Sequence, residues 1–484
     1  MSTTWPEIVD GLPNLMGDET ALAGLRRTSP TNAHRTGGVD FGRARSGFAC
    51  ALHMHQPLIP AGGTDLRNAR IIGNLQHMVA SGNDGERYNA GVYRECYRRM
   101  GEFIPMLLRE GKRPRILLEY SGTLLYGLRA MGADDVLAAL LPLAQDPDLL
   151  SCVEWLGAPW GHAVAPSTPV QDFRMHVQAY LHFFGALFGP SALERVRGFS
   201  PSEMALPNHP DVAYAFVKTL RDFGFRYVLV QEHTVEQAQD GGALSHKHLP
   251  HRLVVKNSEG ESIAITAIVK TQGSDTKLVA QMQPYYEAKT LAPTTLGGQR
   301  VPPLVLQIAD GENGGVMMNE FPSKFIEVMR EASDSDVPPM NISEYLDHLE
   351  SLGVTENDFP DIQPIFQHRL WQRFEPGSGP AKLDQAIVDL RREDTRFHLE
   401  GGSWTNNLSW VRGYESVLVP MDQASAAFAR KAVAISPTDP RYREALFHLL
   451  CAETSCFRYW GQGIWTDYGR ELAERTIAIV DSLP

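Results

Sequence analysis

Four short stretches hold the side chains of this chain best suited to chemistry. His53 and His55 stand in Leu-His-Met-His-Gln-Pro-Leu, and Glu154 and His162 in Val-Glu-Trp-Leu-Gly-Ala-Pro-Trp-Gly-His. Glu203 stands in Gly-Phe-Ser-Pro-Ser-Glu-Met-Ala-Leu-Pro, and Asp310 and Glu312 in Ala-Asp-Gly-Glu-Asn-Gly-Gly. A single loop acid such as Glu203 is ordinarily a solvated group whose charge suits a helix N-terminus. Here each stretch follows a predicted strand, and independent loop residues have no reason to collect at one end of every strand. Two chemistries fit. Two carboxylates on opposite sides of a bond are what glycoside hydrolysis requires, one attacking the anomeric carbon and the other protonating the leaving oxygen. A His-x-His pair at the end of a first strand, with His162 and Asp310 as further ligands, equally suits a metal-dependent hydrolase of amides or acetylated sugars.

Aromatic residues bear on the substrate. Trp155, Trp160, Trp404, Trp410, Trp460 and Trp465 lie in loops or at Gly-rich sites. Indoles stack on the apolar faces of pyranose rings, which makes these residues candidate sugar contacts. At least half of them are expected instead to fill the contact between two parts of the chain.

The elements that must position these groups alternate. Residues 47–53 are apolar on both faces, as a buried parallel strand should be, and Pro57 stops them. His53 and His55 are two apart and so share a face. Residues 89–110 have helical periodicity, residues 115–118 form a second strand ending in Glu119-Tyr120-Ser121-Gly122, and a short helix over 134–141 stops near Pro142. Strand 150–155, helix 171–188, the Glu203 turn, helix 211–223 and strand 226–231 follow. Short strands over 253–279 read as a small β insertion, and 304–308 is the last strong strand. From residue 323 the pattern is mainly helical, with amphipathic stretches at 424–435, 442–451 and 469–482. This is an α/β pattern of parallel strands. It divides into an extension (1–45), a barrel-like unit (46–322) and a C-terminal helical unit (323–484) that completes the substrate cleft. In the barrel reading, the strand ends are where chemistry is built.

Composition narrows the partners. The 484 residues carry a net charge of -12 and are 43% hydrophobic, which argues for a substantial core and against a nucleic-acid-binding face. Five sparse cysteines without zinc-ribbon spacing suit a reducing cytoplasm. Neither a signal peptide nor a membrane span is expected from the sequence, and oligomeric state is not legible in it.

Taken together, the four stretches resemble glycoside hydrolase family 57, and the resemblance runs from about residue 47 to the end of the chain. The first three stretches match the family's first three motifs and the Asp310 stretch its fourth. The segment Ala-Glu-Thr-Ser-Cys-Phe-Arg-Tyr-Trp-Gly at 452–461 resembles the fifth more loosely. The resemblance implies an incomplete (β/α)7 barrel followed by helices, and a retaining enzyme acting on α-glucans. It implies Glu203 as nucleophile and Asp310 as general acid/base. The histidines would then contact substrate or the nucleophile, and Glu154, Trp155, Trp160, Glu312, Trp404, Trp410 and Trp460 are the other candidate substrate contacts. It implies no metal and no cofactor. Hydrolase, 4-α-glucanotransferase and branching enzyme are all compatible with it, as is a non-catalytic glucan-binding protein. Two features depart from the family: the N-terminal extension, and the stretch Gly-Gly-Ser-Trp-Thr-Asn-Asn-Leu-Ser-Trp at 401–410, which fits none of its motifs.

Overall fold

Gly47–Met54 (β1) is buried along its whole length and is the first stave of a barrel. The others are Ile116–Tyr120 (β2), Val153–Gly157 (β3), Gly198–Phe199 (β4), Tyr227–Gln231 (β5), Ser262–Lys270 (β6) and Leu304–Asp310 (β7). All pair in parallel with their chain neighbours, and β7 pairs with β1, so seven staves close a ring. Both faces of such a ring are covered, one by the packed interior and one by helices, which is why the staves are apolar throughout. The computed structural model describes residues 5–17, 19–28, 38–63, 65–81, 83–272, 276–312, 318–403, 414–432, 434–459 and 463–483.

Three expectations about the elements change. The stretch read as a β insertion supplies β6, a stave in its own right. Its partner His251–Lys256 runs antiparallel to it on the outside and joins a small flank with Asp361–Pro364 and Val235–Gln237. A local hairpin signal around Gly260 hides from the sequence that its second arm continues into the ring. The helix expected over 89–110 is two, Asp84–Arg98 with a capping box from Asn83 and Glu86, and Met100–Arg109. The helix expected to stop near Pro142 continues to Gln145, because Pro142 lacks a donor but its carbonyl still accepts from Asp146 N–H at 2.8 Å.

The layer around the staves includes Gly122–Ala130 (α1), capped by Ser121, and Val170–Phe188 (α2). The chain returns to the barrel beyond residue 323. Phe325, on helix Phe321–Ala332, packs on Phe103, and Ile342–Ser351 (α3) starts under the N-terminal ends of the staves. There Met340 N–H donates to Phe48 O, and the buried Arg115–Glu344 ion pair (2.8 Å) ties β2 to α3. Glu415–Ala432 (α4), Pro440–Ala452 (α5) and Ile464–Asp481 (α6) pack on one another. At the N-terminus Trp5 is buried against Gly185 and stacks on His182, while Glu7 and Asp10 pair with Arg129 and Arg443. Among the described residues no helix is long and apolar enough to cross a membrane.

Candidate active site

The C-terminal ends of the staves carry most of the candidate side chains. Asp310 ends β7 directly beside His53 of β1, and His53 stands beside Glu119 of β2. His55 lies two residues on. Glu203 follows the two-residue stave β4 in a tight turn, Ser202–Met204, whose backbone is left-handed at Glu203 (φ +59). His162, after β3, is left-handed as well (φ +59). Each such residue costs about 1–3 kcal/mol, strain that persists where surrounding contacts enforce it. The enforcing contacts come from the segment after α5. Ala163 bridges Thr454, and Ser455 N–H donates to His162 O at 3.2 Å. The Ser455 hydroxyl donates to Glu203 Oε1 at 3.1 Å and sits 2.7 Å from His162 Nδ1.

The electrostatics centre on one imidazole. His53 Nδ1 bonds the Glu119 carboxylate, with both groups buried. Burial opposes a charge on His53, yet the carboxylate of Glu119, followed by Asp310 and Glu312, outweighs it and pushes the imidazole up to about 10. His53 is therefore a cation at neutral pH. Burial raises Asp310; His53 pulls it back and the Glu119 charge lifts it again. Burial and then the Asp310 charge push Glu203 up to about 8, against His53, Ser455 and Arg458. Glu312 is also pushed up to about 8, mainly by burial. Like charges this close do not all ionise, so the carboxyls titrate as a coupled group around one imidazolium. Glu312 is fixed by His55 N–H at 2.6 Å and Tyr97 OH at 3.0 Å.

Burial, reinforced by the His53 charge, holds His55 and His162 well below the ordinary histidine range, so both are neutral. His55 Nδ1 meets the Ser121 hydroxyl at 2.7 Å and Nε2 the Thr454 hydroxyl at 3.3 Å. The imidazoles stack: His55 on His162 with centroids 4.1 Å apart, and His53 on His162 at 4.6 Å. Stacked rings do not aim nitrogens at a common point. Among the described residues no three His, Cys, Asp or Glu side chains are grouped to hold a metal ion.

The structure thus brings together His53, His55, His162, Glu203, Asp310 and Glu312. It takes three expected contacts away. Glu154 lies near the opposite end of its stave, accepting from Ser343 N–H, the Ser343 hydroxyl and Tyr227 OH. Being second in β3, it sits too low to reach the mouth. Trp155 points outward into the helical layer, packed on Tyr120, Phe184 and Phe188. Trp160 is wholly buried, its ring lying where a Cβ on Gly122 would approach to 2.0 Å. Neither indole presents a face to a sugar. Trp404, Trp410 and Trp460 lie outside the described residues. The described start of the unassigned 401–410 stretch borders the site, since Gly402 bridges Leu206, three residues past Glu203. Glu119, Ser121, Thr454 and Ser455 were not singled out by sequence. For Glu119 a signal existed, because it ends the second strand in the same way that His53 ends the first.

The family model for glycosyl hydrolase family 57 matches residues 49–355, which contain all four stretches. A 4-alpha-glucanotransferase from Thermococcus litoralis shares the fold at a TM-score of 0.54 and 18% identity, over 90% of this chain and 60% of its own. The chain thus spans about 60% of that relative's length. A family 57 branching enzyme from Thermococcus kodakaraensis gives 0.53 at 12% identity, over 90% of this chain and 88% of its own. No curated protein matches in sequence. With the family model covering well over half of its length, and six candidate side chains gathered at one mouth of a seven-stave barrel, the chain belongs to glycosyl hydrolase family 57.

Proposed function

We propose that the protein is a retaining glycosidase or transglycosidase acting on α-glucans by double displacement. The observation that carries the reading is the gathering of Glu203 and Asp310 at one mouth of the barrel, where the Asp310 charge raises the proton affinity of Glu203 and the His53 cation lowers that of both. Glu203 attacks the anomeric carbon as the carboxylate, the form that burial and the Asp310 charge oppose and that His53 and Ser455 favour; when Asp310 holds its proton, its opposing charge is gone. Asp310, at the end of its strand, gives its proton to the leaving oxygen and then takes one from the acceptor. His162 Nε2 is buried at the site without a hydrogen-bond partner among the described residues, a donor or acceptor available to a sugar hydroxyl. Glucans as substrate are supported by the relatives, named as a glucanotransferase and a branching enzyme. Five buried free cysteines support a reducing, cytoplasmic setting.

Product analysis tests this. The wild type is incubated with amylose and with maltoheptaose, with and without a chelator. Short maltooligosaccharides mean hydrolysis, a ladder above and below the input means glucanotransfer, and new α-1,6 links mean branching. In each case the first product retains the α configuration and the chelator is without effect. Inverted product, or activity lost to the chelator, would sink the double-displacement reading. Binding without turnover would make the protein a glucan-binding member of the family.

A further inference from the structure

A second set of buried titratable groups lies behind the nucleophile, and the reaction uses none of them directly. Asp172 and His176 come from α2, and Glu453 and Arg458 from the segment after α5; all four are at most 1% exposed. The hydrogen bonds run in one direction. Gly161 N–H donates to His176 Nδ1 at 3.0 Å, so Nδ1 carries the lone pair and Nε2 the proton. Nε2–H then donates to Glu453 Oε2 at 2.8 Å. Trp160 N–H donates to His176 O at 3.1 Å, so the turn before His162 is held at two amides. The fit is close: a Cβ on Gly161 would lie 2.3 Å from Leu450 O and 2.8 Å from His176 Cε1. Just beyond each end of this chain of bonds stands the active site. His162 follows Gly161, while Thr454 and Ser455 follow Glu453 and bond His55, His162 and Glu203.

We propose that the Glu453–His176 pair is a positioning device: it clamps the 160–162 turn to the 453–455 segment and so fixes His162 and Ser455 against the Glu203 carboxylate, without touching substrate. The proposal rests on Glu203 being the nucleophile. The charges around the clamp suit a constant rather than a switching role. Burial holds His176 down at about 3, so it stays neutral. Burial, then Glu453, pushes Asp172 up to about 9, and burial pushes Glu453 up to about 8. The two carboxyls therefore retain a proton at neutral pH. Arg458 and Asp422, from α4, complete the charges facing Glu453.

The alternative is a buried network that only stabilises the fold, and four variants separate the two. Glu453→Ala removes the acceptor, whereas Glu453→Gln keeps an oxygen for Nε2–H. His176→Asn keeps an acceptor for Gly161 but cannot reach Glu453, and His176→Gln does the converse. Each is measured for kcat and KM on maltoheptaose, for thermal midpoint, and by NMR of 15N-labelled histidine in the ligand-free protein, with His162 assigned by His162→Gln. The clamp predicts that Glu453→Ala and both His176 variants lose kcat by about ten- to a hundredfold with KM within about twofold. It predicts that Glu453→Gln recovers most of the rate and that the His162 resonances move only in the impaired variants. An unmoved His162 signal, or equal losses in Glu453→Ala and Glu453→Gln, overturns it. If Glu453→Ala does not fold, His176→Asn carries the same expectation with a smaller loss of volume. The NMR arm needs no substrate, so a wrong assignment of the glucan leaves this test standing.

Discussion

Glu119 and Glu154 are two buried carboxylates on neighbouring staves, two rungs apart, since Leu117 pairs with Glu154. Their exposures are 2% and 1%, so burial does not distinguish them. Their partners do. Glu154, near the closed end, is saturated by neutral donors: Ser343 N–H at 3.1 Å, the Ser343 hydroxyl and Tyr227 OH at 2.9 Å. It joins the N-terminus of α3 to the barrel floor, where positive helix-end amides suit a carboxylate. Glu119, at the open end, has His53 on one oxygen and no hydrogen-bond partner on the other among the described residues. A carboxylate held by uncharged donors stabilises. One that faces a titratable ring, which in turn faces Glu203, Asp310 and Glu312, sets where protons reside.

The largest effects come from the two carboxyls that this electrostatic field serves. Glu203→Gln should cost about 10⁴-fold or more in kcat, as expected for a lost nucleophile. Asp310→Asn should cost roughly 10²–10⁴-fold, and less on a substrate whose leaving group needs no proton, such as an activated aryl glycoside. Steady-state rates on natural and activated glucosides check both, and equal losses of Asp310→Asn on the two substrates would count against its role as acid. Next comes Glu119→Gln, for which a rate loss of about 10²-fold is expected. Its pH profile is the sharper readout. Without the Glu119 charge, His53 is no longer held as a cation, and Glu203 loses a group that lowers its proton affinity. Glu203 then ionises at higher pH, so the acidic limb of kcat/KM moves up. A limb that stays in place or moves down would mean that Glu119 acts only through packing.

The sequence order of strands and helices, and the collection of histidines and acids at strand ends, were legible because periodicity and stop signals are local. The same rule, applied evenly, points to Glu119 as well as to His53 and Asp310. What was not legible is rung height. Glu154 and Glu119 both sit in apolar strands of five residues, but one is second and the other fourth, and only the observed register puts them at opposite ends. The direction of a tryptophan at a strand end is equally silent, since Trp155 and Glu154 alternate faces and the inward one is set by the ring's closure. Ser455 lies in the segment that resembles the fifth motif, but its meeting with Glu203, 252 residues earlier, was not legible, because it depends on how the last helices fold back. β6 was obscured by its own hairpin partner.

Glu154→Gln completes the comparison and carries the smallest effect on chemistry. The amide keeps one acceptor oxygen and turns a donor toward Ser343 and Tyr227, which both donate to the native carboxylate. A buried donor facing donors costs about 1–3 kcal/mol, which should appear as a lower thermal midpoint and a lower midpoint in urea. The same substitution leaves every group at the open end in place, because the contacts it breaks join the barrel floor to α3. Measured on the folded fraction below the transition, kcat should remain within about twofold of wild type, and the pH profile should not move. Glu119→Gln makes the opposite demand on the same assays, a displaced acidic limb with a large rate loss. If Glu154→Gln instead moves the pH profile, the floor of the barrel is coupled to its mouth, and saturation by neutral donors is not enough to make a buried carboxylate silent.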